Sequence, residues 1–128
     1  MELNLKYNLF LDDFRLPKDV TWIKLPEVEW HIAHDFRYFV NFLRRYGCPA
    51  IVSLDHDLHP SHNEEAANKQ LRGFDYDNVN EKTGLECAIF LVRFCKENKF
   101  RPNQIYIHTL NPVGGINIQK VVSELYKP

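Results

Sequence analysis

The chain has 128 residues, 45% apolar and 13% aromatic, which fits one domain with an ordinary core that needs no staples to fold. Its 16 Lys and Arg balance 17 Asp and Glu, which argues against a general nucleic-acid binder or a strongly charged membrane surface but leaves room for a small phosphate ligand. No apolar stretch reaches the roughly 20 residues of a spanning helix, Met1-Glu2-Leu3-Asn4 opens no signal peptide, and three cysteines without C-x-x-C spacing fit a reducing compartment, so a cytoplasmic protein is expected.

The first apolar run, Asn8-Leu9-Phe10-Leu11, predicts a buried strand over about residues 7–12 that ends in Asp12-Asp13. Pro17 and Pro26 disfavour a long helix between Phe14 and Glu27. Val28 to Ala33 reads as a second strand. Asp35 then caps a helix carrying Phe36, Phe39, Val40, Leu43 and Tyr46 inward, and Gly47 ends it. Ile51-Val52-Ser53-Leu54 predicts a third strand that runs into Asp55-His56-Asp57. Residues 59–82 are polar and irregular, and read as a long loop insertion, either a functional lid or a mobile insertion.

Thr83-Gly84-Leu85-Glu86 has the spacing of a capping box, followed by a helix with Leu85, Ala88, Ile89, Val92 and Cys95 on one stripe. Cys87 and Cys95 read as core thiols. Gln104-Ile105-Tyr106-Ile107 predicts a fourth strand ending in His108-Thr109. Asn111-Pro112 opens a last helix with Ile118, Val121, Val122 and Leu125 inward. This order predicts a single domain with a short, doubly wound, mostly parallel sheet and right-handed crossovers.

In such sheets ligands bind beyond the carboxyl ends of the strands. Three strand ends would gather four carboxylates and two histidines there. Asp12, Asp13 and Asp55 are the candidate metal ligands, since clustered carboxylates suit magnesium and repel one another without a cation or proton. Adjacent strand residues point to opposite faces, so Asp12 and Asp13 can share an ion only where the strand ends. Arg15 could hold a phosphate or simply neutralise Asp13. His56, supported by Asp57, and His108 could act as base and acid, the two labels being exchangeable. Gly114 and Gly115 at a helix N-terminus could expose amides to a phosphate, with Asn117 adding a contact, or could serve only a turn. Thr109 and Asn111 complete the candidate phosphate contacts.

Other motifs fail. His56-Asp57 lacks the further histidines and helical setting of HD phosphohydrolases, and His59-Pro60-Ser61 lacks the second copy that two-histidine phosphoesterases need. There is no G-x-x-x-x-G-K-[ST] or G-x-S-x-G, and no spacing for zinc.

The blocks Leu9-Phe10-Leu11-Asp12-Asp13-Phe14-Arg15-Leu16-Pro17, Ser53-Leu54-Asp55-His56-Asp57-Leu58 and His108-Thr109-Leu110-Asn111-Pro112-Val113-Gly114-Gly115-Ile116-Asn117 resemble the cyclic-phosphate-processing receiver domains, with Thr83-Gly84 a fourth, weaker match. The resemblance implies a flavodoxin-like, receiver-like α/β three-layer sandwich. It also implies a divalent cation, Mg2+, at residues like Asp12, Asp13 and Asp55, and a small phosphorylated or cyclic-nucleotide ligand. A metal-assisted phosphoesterase is the expected function; the alternative is a non-catalytic module that binds or sequesters a phosphorylated nucleotide. No duplex nucleic acid and no membrane are expected as partners. Departures are the absence of a receiver's lysine after a fifth strand, which ranks phosphoacceptor chemistry at Asp55 or Asp57 last, His59 for the usual glycine, and Glu86 for the usual aspartate.

Overall fold

The computed structural model describes residues 7–58 and 82–127. Four strands, β1 (Asn8–Leu11), β2 (His31–Ala33), β3 (Ile51–Leu54) and β4 (Gln104–Ile107), form one sheet in the order β2-β1-β3-β4. Every pairing is parallel, with Leu11 opposite both Ala33 and Leu54, and Leu54 opposite Ile107. The strands therefore finish in line. One further rung of backbone hydrogen bonds, Asp12 N to Ala33 O, Asp55 N to Leu11 O and His108 N to Leu54 O, fixes the next residue of three strands. This register sets the site.

Among the described residues three helices follow: α1 (Phe36–Tyr46), α2 (Gly84–Glu97) and α3 (Pro112–Val122), the last continued by a 3-10 turn over Ser123–Tyr126. Each start carries the cap its sequence predicts. The Asp35 carboxylate accepts the Tyr38 amide, Thr83 and Glu86 form a reciprocal capping box, and Asn111 caps α3 ahead of Pro112. Gly47 ends α1 at φ 88°, where a side chain would be strained.

The helices pack on one another and on a single sheet face, where Leu9, Leu11, Val52 and Leu54 join Phe39, Leu43, Ala88, Leu91 and Ile118 in the core. That arrangement follows from strand order. Right-handed crossovers from β2 to β3 and from β3 to β4 run the same way across the sheet and so share a face, while the step from β1 back to β2 must cross the opposite one. The third layer of the sandwich is thus the connection from Phe14 to Trp30, which holds only a 3-10 turn, Pro17–Asp19. Phe10 and Ser53 face it, and the strand alternation carries Asp12, Asp55 and His108 to the same side.

Some expectations shift. Val28–Glu29–Trp30 forms no ladder, and the second strand is only His31–Ala33. Glu29 instead gives its carbonyl to the Asn8 side-chain amide, just outside the edge. Tyr46 and Ile89 are exposed. Tyr46 lies beyond the sheet edge among Tyr7, His31 and Phe42, and the buried arc of α2 turns toward Cys87 and Leu91. Leu125 is buried but belongs to the final 3-10 turn. Cys48, Cys87 and Cys95 are all buried thiols, and burial pushes the Cys87 thiol well up. Among the described residues no helix is long and apolar enough to cross a membrane. The predicted insertion lies outside the described residues except for Lys82, whose ammonium sits over the Phe36 ring.

Candidate active site

Asp12 is the fully buried centre of the site. Its Oδ1 accepts the amides of Phe14 and Arg15 at 3.1 and 2.9 Å, which closes the turn leaving β1. Its Oδ2 lies 3.0 Å from His108 Nε2 and 3.6 Å from Arg15. Burial alone would raise this carboxyl; the bonds from His108 and the two amides outweigh it and hold the group below its ordinary value. Asp55 sits 3.9 Å from the same guanidinium. Burial first, and then the Asp12 charge, push its carboxyl up, with His108, the His56 amide and Thr109 offsetting part.

Asp13, the next residue, is half-buried at the same strand end. Both its oxygens are buried without a hydrogen-bond partner among the described residues. Burial and the Asp12 charge raise it to about 7, Asp55 adding, its own backbone amide and Arg15 subtracting. A buried carboxylate without donors is a group lacking its counterpart. Asp12, Asp55 and His108 can each offer one atom within 4.8 Å of the others. Buried oxygens plus the orphaned Asp13 carboxylate fit a hard divalent cation, so this group could hold a metal ion.

His108 departs from its expected role. Its ring is fully buried and lies parallel to Phe10 at 4.6 Å. Nε2 faces Asp12, and Nδ1 faces the buried Ser53 hydroxyl at 2.7 Å. With Asp12 as an acceptor, Nε2 carries the proton and Nδ1 accepts from Ser53. Both nitrogens are engaged inside the protein, which leaves neither to donate to a ligand oxygen. His108 positions Asp12 instead.

His56 is different. Its Nδ1 meets Asp57 at 3.0 Å, and Nε2 has no partner among the described residues. Asp57 is itself approached by the Asn111 amide at 3.4 Å. The imidazole packs on Gly114: a Cβ there would sit 2.4 Å from the ring Cγ. The amides of Gly114 and Gly115, expected to meet a phosphate, are both engaged in the α3 cap. The space above Gly114 is filled by His56, its amide donates to the Asn111 cap, and the Gly115 amide bonds back to the Asn111 carbonyl. Gly84 is as tight, with a Cβ falling on the Asp55 carbonyl.

Arg15 is half-buried between Phe14 and Trp22, its guanidinium 4.7 and 5.2 Å from their ring centres, and faces Asp12 and Asp55 rather than Asp13 alone. Thr109 accepts the Asn111 amide, and Asn117 lies half-buried on α3. Glu86 is spent on the capping box, accepting from both the amide and hydroxyl of Thr83. Three contributors went unnoticed in the sequence. Ser53 could have been noticed as a lone hydroxyl in an apolar strand. Phe10 read as plain core, and Trp22, whose Nε1 donates to the His108 carbonyl at 2.8 Å, sits in a segment without periodicity.

No curated protein and no solved structure matches the chain. A family comparison does, over residues 7–124, and the matched family is described as the cyclic-phosphate processing receiver domain. The match takes in the acidic strand ends, the His56-Asp57 turn and the Asn111 cap alike, and at that coverage the chain belongs to the cyclic-phosphate processing receiver family.

Proposed function

We propose that this domain is a metal-assisted phosphoesterase acting on a cyclic phosphate or a nucleotide-derived ligand. The observation that carries the reading is the orphaned Asp13 carboxylate beside Asp12 and Asp55, with one cation, Arg15, and one outward imidazole, His56, at the same strand ends. Asp12, Asp13 and Asp55 would hold a divalent cation, magnesium by their all-oxygen character. When bound, such an ion polarises a phosphoryl group and acidifies water.

The chain's own groups supply the rest. Arg15 would meet charge on the phosphate oxygens, a bidentate guanidinium being well suited to them. Asp57 holds Nδ1–H of His56, so Nε2 is the acceptor that takes a proton from the attacking water. As water adds to phosphorus and one ring P–O bond breaks, the same Nε2–H returns that proton to the leaving oxygen. His108 and Ser53 keep Asp12 in place throughout.

The second reading, a module that binds a phosphorylated nucleotide without turnover, is favoured by one observation: His108, the other candidate acid, is sealed in the core. Incubation with 2′,3′- and 3′,5′-cyclic nucleotides and magnesium, read by chromatography, separates the two. Product that disappears in His56→Gln supports the esterase. Thermal stabilisation without product supports the binding module.

A further inference from the structure

The Phe14–Trp30 connection borders an open cleft of about 760 Å3, lined by Lys18, Thr21, Trp22, Lys24, Glu27 and Trp30 together with aliphatic and proline side chains. Small-molecule sites occupy roughly 300–1,000 Å3, so the space suits a ligand of nucleotide size. Its lining is unusual for this chain. Both of the protein's two tryptophans are there, and two lysines against one carboxylate are among the lining residues. Indole faces stack any nucleobase, and ammonium groups meet sugar-phosphate oxygens.

The cleft is also joined to the acidic site. Trp22 donates to the His108 carbonyl, and its ring lies against the Arg15 guanidinium. Trp30 packs edge-on against Phe10 at 5.9 Å, and Phe10 stacks on the His108 ring. Each indole is thus one contact from a residue of the site. We propose that this cleft is the nucleoside subsite of the domain, taking the base and ribose of a nucleotide whose phosphate is held near Asp13, Asp55 and Arg15. The inference rests on the phosphate reading above and narrows the ligand from cyclic phosphates at large to nucleotides.

Because both tryptophans line the cleft, tryptophan emission of the full chain reports on it, with Trp22 also sensing Arg15 at the phosphate end. With magnesium present, adenosine 5′-monophosphate, free adenosine and glycerol 2-phosphate are titrated, with calorimetry alongside. The expected result is saturable quenching by the nucleotide and, more weakly, by adenosine. Affinity for the nucleotide should be about tenfold above that for glycerol phosphate, the order one stacked base supplies. Nucleotide and glycerol phosphate binding equally without a change in emission overturns the subsite and leaves the phosphate reading intact. Quenching by adenosine with no binding of glycerol phosphate removes the phosphate reading, and with it the joint site. The exposed Lys24 gives a variant that does not threaten folding. Lys24→Gln should lose about threefold or more in nucleotide affinity, and an unchanged affinity counts against the cleft.

Discussion

Asp13→Asn tests the electrostatics of the site directly. In the unfolded chain this carboxyl loses its proton near 3.8, whereas in the folded protein it keeps it until about 7. Between those values the folded state binds more protons, so the group's contribution to stability falls as pH rises through that window. At 1.36 kcal/mol per unit, the ionised carboxylate costs the folded state about 4 kcal/mol at pH 8 and under about 2 at pH 5. Water reaching this half-buried residue screens part of that, leaving a gap of roughly 2 kcal/mol between the two pH values. Asparagine carries no charge, and its own burial cost is independent of pH. Thermal melts in chelator should therefore show the variant gaining on wild type by roughly 6–10 °C between pH 5 and pH 8. Millimolar magnesium at pH 8 should then raise the wild-type midpoint more than that of the variant, since the ion replaces the missing counter-charge. Parallel pH curves for the two proteins would refute the claim that Asp13 is buried and unpaired.

Other consequences follow from single contacts. Gly114→Ala pushes a methyl into the His56 ring; denaturation should show a loss of about 1–3 kcal/mol despite the better helix former, and turnover should fall with it. Ser53→Ala strips the partner from a buried imidazole nitrogen, at a cost of about 1–3 kcal/mol in urea unfolding; a change within about 0.5 would mean that Ser53 bonds elsewhere. Asn111→Ala removes the α3 cap and the amide beside Asp57, so about 1 kcal/mol should be lost in urea unfolding.

The parts of the fold legible in the sequence are those decided within a few residues. Four apolar runs, the Asp35 and Asn111 caps and the Thr83–Glu86 box each carry their own signal, and together they bring the acidic strand ends to one edge. What escaped depends on partners distant in the chain. His108 reads as a strand-end imidazole open to a ligand; only the Phe14–Trp30 segment, which has no period to read, buries it and ties its carbonyl to Trp22. Gly114 fits a phosphate turn and a packing contact equally well by residue type, and only the position of the His56 ring decides. Tyr46 continues the apolar spacing of α1, but the sheet that would cover it has already ended.

On the proposed mechanism, the burial of His108 also explains why two histidines at neighbouring strand ends would not share the work. A proton leaving Nε2 would strip Asp12 of its His108 bond inside the core, leaving the amides of Phe14 and Arg15 and the Arg15 guanidinium to offset its burial. His56 has no such obligation. Its ring rests on the first turn of α3, Asp57 fixes one nitrogen, and Asp57 is exposed enough for water to absorb the change in charge as the other nitrogen takes and returns a proton. The buried chain Ser53–His108–Asp12 is best understood as scaffolding that keeps one carboxylate ionised at the strand ends. The neighbouring Asp13 is left with a carboxylate whose charge is costly until pH rises past about 7, a cost that a bound cation would remove.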